Sequence, residues 1–191
     1  IKLPKIGLVK MKQHRVIPSE QKIKSATISK TPSGKYYVSI LVEYDFIPPV
    51  VSLDKNKALG LDYASHSFYV DNQNREADYP KFYRIALDKL AKEQRKLSLM
   101  KYSSNNYYKQ KIIVAKIHEH IANQRKDFVT KTALYFARKY DVIVLEDINL
   151  QNMSHTLHLG KSVFDLGFGE FRTVLEQKCK EYDTTIIYAD K

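Results

Sequence analysis

Asp141-Val142-Ile143-Val144-Leu145-Glu146-Asp147 is an unbroken apolar run closed by two carboxylates. A run with no polar alternation predicts a strand buried on both faces, and therefore parallel to its neighbour. A second run of this kind, Ala58-Leu59-Gly60-Leu61-Asp62, also ends in an acid, and Ser67-Phe68-Tyr69-Val70 follows as its neighbour across a short turn. Between the two acid-ended runs the period changes. Leu87, Leu90, Ala91, Gln94 and Leu97 predict a helix over about 84–97, and Ser103-Ser104-Asn105-Asn106 is a loop able to cap the next one. From Asn106 to Lys139, Ile113, Ile117, Ile121, Phe128 and Tyr135 recur at intervals of four and seven, which predicts one apolar stripe on a long helix packed antiparallel to the first. Phe164 to Tyr182 reads as a helix through Phe171, Val174, Leu175 and Cys179, and Thr184 to Ala189 as a last buried strand. The order strand, strand, helices, strand, helix, strand predicts an α/β domain on a mixed sheet.

Upstream the pattern is all strand and turn. Ile6 to Met11 is a short apolar-basic segment, and Lys22 to Ser29 alternates Ile23, Ser25 and Thr27 against Lys24, Ala26 and Ile28. Thr31-Pro32-Ser33-Gly34 then turns into Tyr36-Tyr37-Val38-Ser39-Ile40-Leu41-Val42, a β-hairpin by its signals. Pro48 and Pro49 stop the strand, and the polar stretch Ser52 to Lys57 places a boundary near residue 54, so the expected domains are 1–54 and 55–191, with the helical insertion at about 81–140.

The chain has 191 residues and a net charge of +11, which calls for a polyanionic partner. The excess is local: residues 81–140 carry 15 basic and 4 acidic groups, whereas 141–191 carry 5 and 9. The single cysteine, Cys179, excludes an internal disulfide framework and a cysteine-built zinc site within this chain, and points to a reducing compartment. No apolar run reaches the ~18 residues of a membrane span. The chain starts at Ile1 with charged Lys2 and Lys5 and no signal core, so it is expected to be a piece of a longer protein.

Asp62 and Glu146 each close a strand that otherwise has no reason to tolerate a charge. Hard divalent cations take oxygen ligands, Mg²⁺ typically from a few carboxylates, waters and phosphate oxygens, and a pair of such ions can activate water and stabilise the leaving oxygen of a phosphodiester. Adjacent strands would let Asp62 and Glu146 share that task. The plain alternative is strand-end acids that face water. Asp147 faces the other way by strand alternation and is expected to take no part. His118 and His120 stand two apart on a helix, cannot converge on one ion and read as surface residues, and His155 and His158 have no acid or cysteine partner in sequence.

These segments resemble, in order, the TnpB family of insertion-sequence-encoded, RNA-guided nucleases related to type V CRISPR effectors. Ala58-Leu59-Gly60-Leu61-Asp62 resembles the first RuvC-type motif, and Val144-Leu145-Glu146-Asp147-Ile148-Asn149 the second. Leu90 to Ser98 and Ile121 to Phe128 are similar to the family's bridging helices, Gly167-Phe168-Gly169-Glu170-Phe171 follows in the expected place, and residues 1–50 resemble the end of a wedge domain, a β-barrel that grips guide RNA. Two departures stand out: Asp62 is followed by Tyr63-Ala64 instead of Leu-Gly, and Phe168 stands where Trp is common. The resemblance implies an RNase H-like, RuvC-type fold with a long inserted helical pair behind a small wedge or OB-like β segment. It also implies catalytic, metal-holding Asp62 and Glu146 with Mg²⁺ or Mn²⁺, and guide RNA and target DNA as partners in a prokaryotic cytoplasm near the nucleoid. It places a mobile lid after Glu146, and a third catalytic Asp and a zinc ribbon beyond Lys191, so this chain alone is expected to be inactive or nearly so.

For the nucleic acid, lysines and arginines supply salt-sensitive affinity and aromatic rings can stack on bases. Lys101, Tyr102, Tyr107, Tyr108, Lys109 and Lys111 interleave both around one loop, although Tyr107 and Tyr108 would equally serve as helix-start packing. Lys10, Lys12, His14, Arg15 and Lys24 could hold an RNA backbone or simply protect a sheet edge. The resemblance adds Gln94, Arg95, Asn123, Gln124, Arg125 and Lys126 on the paired helices. Two other readings stay open: a non-catalytic nucleic-acid binder on this fold, and a transposase or integrase that joins strands rather than only cutting them.

Overall fold

The two acid-ended strands lie side by side at the centre of a four-stranded sheet. The computed structural model describes residues 1–47, 54, 57–64, 66–147 and 167–189, which form two compact units, residues 1–31 with 35–46 and residues 32–34 with 47–191. The expected proline stop at Pro48 and Pro49, the histidines His155 and His158, the lid after Glu146 and the helix start at Phe164 lie outside the described residues.

The first unit holds two antiparallel pairs. β1 (Lys2–Leu3) pairs with β2 (Gly7–Leu8), and β3 (Lys22–Lys30) pairs with β4 (Tyr36–Glu43). The hairpin forms where its turn residues predict: Thr31 N–H donates to Lys35 O at 2.9 Å, and Gly34 takes φ +90°. A register shift between Ile23 and Ser25 breaks the alternation read from sequence, and β3 is exposed along its whole length.

In the second unit β5 (Ala58–Ala64) pairs antiparallel with β6 (Phe68–Asp71), and the chain then enters α1 (Phe82–Ser98) and α2 (Asn105–Lys139). β7 (Val142–Glu146), α3 (Phe168–Tyr182) and β8 (Thr185–Ala189) complete a sheet of order β6-β5-β7-β8, in which β7 runs parallel to both neighbours. Leu59 and Leu61 of β5 and Ile143 and Leu145 of β7 meet Val129, Ala133 and Phe136 of α2 and Phe171, Leu175 and Cys179 of α3 in one core. Cys179 is packing, as its place on an apolar helix face suggested, and burial pushes its thiol up to about 12. Phe68 sits at the centre of the aromatic part of this core, its ring 5.3 Å from Tyr79 and 5.1 Å from Phe171, at φ +88°. A bulky residue rarely adopts that backbone, and full burial of the ring is what holds it there.

The helical pair forms a second, smaller core from Leu90, Val114, Ile117 and Ile121. Ser104 Oγ caps α2 by accepting from Tyr107 N–H at 3.1 Å. The buried amide of Gln110 donates to both the carbonyl (3.0 Å) and the carboxylate (2.7 Å) of Glu93, tying the helices together. Lys96 at 2.7 Å, and then Gln110, hold the Glu93 carboxyl below the ordinary range.

Three expectations need correction. β7 is parallel to its neighbours, but only Ile143 and Leu145 are buried; Val142, Val144 and Glu146 are half-buried because α2 and α3 cover one face of the sheet. β8 is an edge strand and mostly exposed, not a buried one. The single stripe on α2 also fails, since Ile113 is 45% and Tyr135 53% exposed. At 3.6 residues per turn, the buried positions around Ile117 and those around Ala133 centre about 115° apart around the axis. The first half of α2 packs on α1 and the second half on the sheet and α3, so the buried face turns with the partner.

Candidate active site

Parallel register sets Leu59 beside Ile143, Gly60 beside Val144 and Leu61 beside Leu145. The next position on each strand is Asp62 and Glu146, so the two acids adjoin at the carboxyl ends of neighbouring strands, which lie about 4.8 Å apart. Alternation does the rest. Leu59, Leu61, Ile143 and Leu145 point into the helical core, so Gly60, Asp62, Val144 and Glu146 project from the opposite face. Asp62 is exposed and Glu146 half-buried. Gly60, two residues before Asp62, lies under Asn72: a Cβ there would meet Asn72 Cβ at 3.4 Å, and Asn72 N–H donates to Gly60 O at 3.0 Å.

Asp147 turns to the helical side, as expected, where its carboxylate lies 3.7 Å from Arg172 Nη1 of α3. Arg172 also approaches Glu176 at 3.9 Å and the ring of Tyr188 at 5.8 Å. The Tyr188 hydroxyl bonds to Glu176, and burial followed by that acid pushes its ionisation up to about 12. This group fixes the end of β7 against β8 and α3, beside Glu146. Across the sheet, the Asp71 carboxylate is buried and accepts from the N–H of Gln73 and Arg75, both at 2.9 Å, and from Arg75 Nε at 2.6 Å. Burial alone would raise its pKa; the hydrogen bonds from Arg75 and Gln73 outweigh it and hold the carboxyl below the ordinary value.

The other residues predicted to bind scatter over the molecule. Lys10, Lys12 and Arg15 are exposed on the irregular segment between β2 and β3 of the first unit. Gln94, Arg95 and Lys101 are exposed near the loop end of the helical pair, level with Gln110. There Tyr102 is 77% exposed and its ring lies 5.2 Å from Tyr107, which is half-buried; Tyr108 bonds Ser103 through its hydroxyl at 3.1 Å. Asn123, Gln124, Arg125 and Lys126 stand at the other end, level with Phe82, whose ring is 6.3 Å from Phe128. Eleven helical residues separate Phe82 from Glu93, or about 16 Å, so the structure does not join Gln94 and Arg95 with Asn123 to Lys126.

Arg125 is engaged inside the fold. Its stem lies against Gly167, where a Cβ would come within 2.8 Å of Arg125 Cδ, and its Nε is 3.5 Å from Glu170. Sequence reasoning missed the Arg172 group and the Asp71–Arg75 pair. Arg172 and Glu176 carry the i, i+4 spacing of a helical pair that could have pointed to the first, and an Asp at the head of the Asn72–Asn74 turn could have pointed to the second. Among the described residues, no group of three or more His, Cys, Asp or Glu side chains is gathered as a metal cage.

A family profile described as "Probable transposase" matches residues 39–157, well over half of the chain and spanning both acids. The chain belongs to the OrfB_IS605 family, the TnpB proteins. Among curated TnpB relatives, a "Putative RNA-guided DNA endonuclease" of Streptomyces pristinaespiralis is 29% identical over 93% of this chain and 43% of its own length. "Putative RNA-guided DNA endonuclease InsQ" of Escherichia coli strain K12 is 28% identical over 92% of this chain and 46% of its own. The chain therefore spans less than half the length of these relatives. The protein in the cryo-EM structure of a Cas12f1–sgRNA–target DNA complex shares the fold, with a TM-score of 0.52 and 16% identity over 81% of this chain and 32% of that one. No described helix of this TnpB-family chain is long and apolar enough to cross a membrane.

Proposed function

We propose that the second unit is the carboxylate-bearing part of an RNA-guided DNA endonuclease with a RuvC-type, RNase H-like domain, in which Asp62 and Glu146 hold a divalent cation, Mg²⁺ or Mn²⁺. The observation that carries this reading is the register that puts the two acids side by side at parallel strand ends, on the sheet face the helices leave open. Ligands of open α/β sheets bind beyond such carboxyl ends. The donor set fits the ion: two adjacent carboxylates, one exposed and one half-buried, are part of the oxygen shell Mg²⁺ accepts, with room for waters and a phosphodiester. When bound, the ion supplies Lewis acidity and an activated water for phosphodiester hydrolysis. Asp62 and Glu146 would hold the ion, and the burial of Leu145 on the helical side turns Glu146 to the open face by strand alternation.

In this reading the first unit belongs to a wedge-like β segment that holds guide RNA, the target is DNA, and the setting is the cytoplasm near the nucleoid. With two carboxylates as its protein ligands the ion should be held weakly, and the 191-residue chain by itself is expected to cut DNA at most feebly. A thermal-shift titration with Mn²⁺ tests the assignment. The wild-type melting temperature should rise with the ion, and Asp62→Ala or Glu146→Ala should remove most of the rise; an undiminished rise in both variants overturns the metal assignment. Robust Mg²⁺-dependent DNA cleavage by the isolated chain would contradict its expected inactivity. The family description as a transposase favours strand joining as the second reading, and gel analysis of reaction products separates joined from merely cut strands.

A further inference from the structure

The turn that follows β6 is fastened from several sides. Asp71, buried on the helical side, accepts from Gln73 N–H, Arg75 N–H and Arg75 Nε. Its own N–H donates to Arg75 O at 3.0 Å, and Asn74 N–H donates to Asp71 O at 2.9 Å. Arg75 Nη2 reaches on to the Tyr140 hydroxyl at 3.3 Å, just past the end of α2. What this turn carries to the other face of the sheet is Asn72. Leu61 and Asp71 are register partners on the helical side, so the next pair, Gly60 and Asn72, belongs to the face of Asp62 and Glu146.

Gly60 makes the room for it. The point where a Gly60 Cβ would stand is 3.4 Å from Asn72 Cβ and 4.0 Å from Asn72 Cγ, so the Asn72 side chain lies alongside the missing one. On the other side of Gly60 stands half-buried Val144. The three residues form a notch in the open face, with Gly60 as its floor, Val144 as an apolar wall and Asn72 as a polar one. Asp62 and Glu146 are the next row, two residues or about 6.6 Å toward the strand ends. Asn72 is thus a diagonal neighbour of Asp62, with Cβ atoms roughly 7 Å apart. Both side chains rise from the sheet, and that separation suits contact through one water.

We propose that Asn72 is a positioning residue for the divalent cation, its carboxamide oxygen accepting from a water of the ion's shell on the β6 side of Asp62. The inference rests on the metal assignment above and deepens it by naming a third group of the site. Mg²⁺ held by few carboxylates keeps several waters, and each is a donor in search of an acceptor. An amide oxygen supplies one without setting a third negative charge beside two acids. The bonds of Asp71 fix the backbone that carries Asn72 before the ion arrives.

The test is Mn²⁺ binding to the 191-residue chain, followed by the EPR signal of the free ion, with melting temperatures in metal-free buffer as the check on folding. Asn72→Ala should weaken binding about tenfold, as loss of an outer-shell partner does. Its metal-free melting temperature should stay within about 2 °C of wild type, since Asn72 is exposed and Asp71 closes the turn. Asn72→Asp should tighten binding about tenfold by adding a charged oxygen in the notch. Gln73→Asp adds the same charge one residue on in the turn, at an exposed position, and should stay within about twofold of wild type. Wild-type affinity in Asn72→Ala overturns the proposal, as does a gain in Gln73→Asp equal to that in Asn72→Asp. Should Asn72→Ala melt early, the two aspartate variants decide alone: a gain confined to Asn72→Asp supports the proposal and equal affinities overturn it. A wild-type chain that binds no Mn²⁺, or binding undiminished in Asp62→Ala and Glu146→Ala, removes the metal assignment together with Asn72. Binding that needs both acids and ignores Asn72 removes Asn72 alone.

Discussion

The two faces of the central sheet are built from alternate residues of the same strands and have opposite characters. On one, Leu61 and Leu145 are 4% and 2% exposed and packed under α2 and α3; on the other, the next residues, Asp62 and Glu146, face outward beside half-buried Val144. One face is specialised for cohesion and the other for charge, and a one-residue slip between β5 and β7 would exchange them. Stability and chemistry here are separable in space although interleaved in sequence.

That separation can be broken experimentally, and the packed face should give the largest effect. Phe171→Ala removes a fully buried ring that touches Phe68, Phe136 and Phe168, and should cost about 4 kcal/mol in a denaturant titration. Asp71→Asn at the sheet margin should cost about 2 kcal/mol, through the charge-assisted bonds to Arg75. Its pH dependence has a definite sign. The folded carboxyl titrates below the unfolded one, so its contribution is complete above about pH 4 and fades as pH falls through the lowered folded value. Wild type and Asp71→Asn should therefore converge in stability in acid, and a constant gap there would show that the carboxylate charge is not what stabilises the turn.

Gly167→Ala should cost about 1–2 kcal/mol, because Gly167 starts α3 at φ +66° and the new methyl would press on Arg125. The smallest effect belongs to the charged face. Asp62→Ala should leave the melting temperature in metal-free buffer unchanged or slightly raised, because an acid beside another acid is repelled. A marked fall would mean that Asp62 supports the fold, and the contrast between the faces would lose its sharpest example.

Much of this was legible in one dimension. Acid-ended apolar runs marked β5 and β7, the absence of alternation in Val142 to Leu145 indicated parallel neighbours, and the turn around Gly34 marked the hairpin. Period-two alternation also placed Asp147 opposite Glu146, where Arg172 meets it. These features depend on residue order within one element, with few competing arrangements.

What stayed hidden depended on which surfaces meet. The spacing of Ile113 and Tyr135 fits a helix with one partner, but α2 has two: the turn of its buried face exposes Tyr135, and Ile113 already sits at the margin of the face that meets α1. Arg125 carries the charge of a nucleic-acid contact, yet the missing Cβ of Gly167, 42 residues on, gives its stem a place within the fold. The strands, the helices and the two acids could be read from residue order, because backbone periodicity and side-chain polarity are local properties. That the acids adjoin and that Tyr135 and Lys139 face outward depends on the assembled fold, because register and helix rotation are set by the summed packing of distant residues.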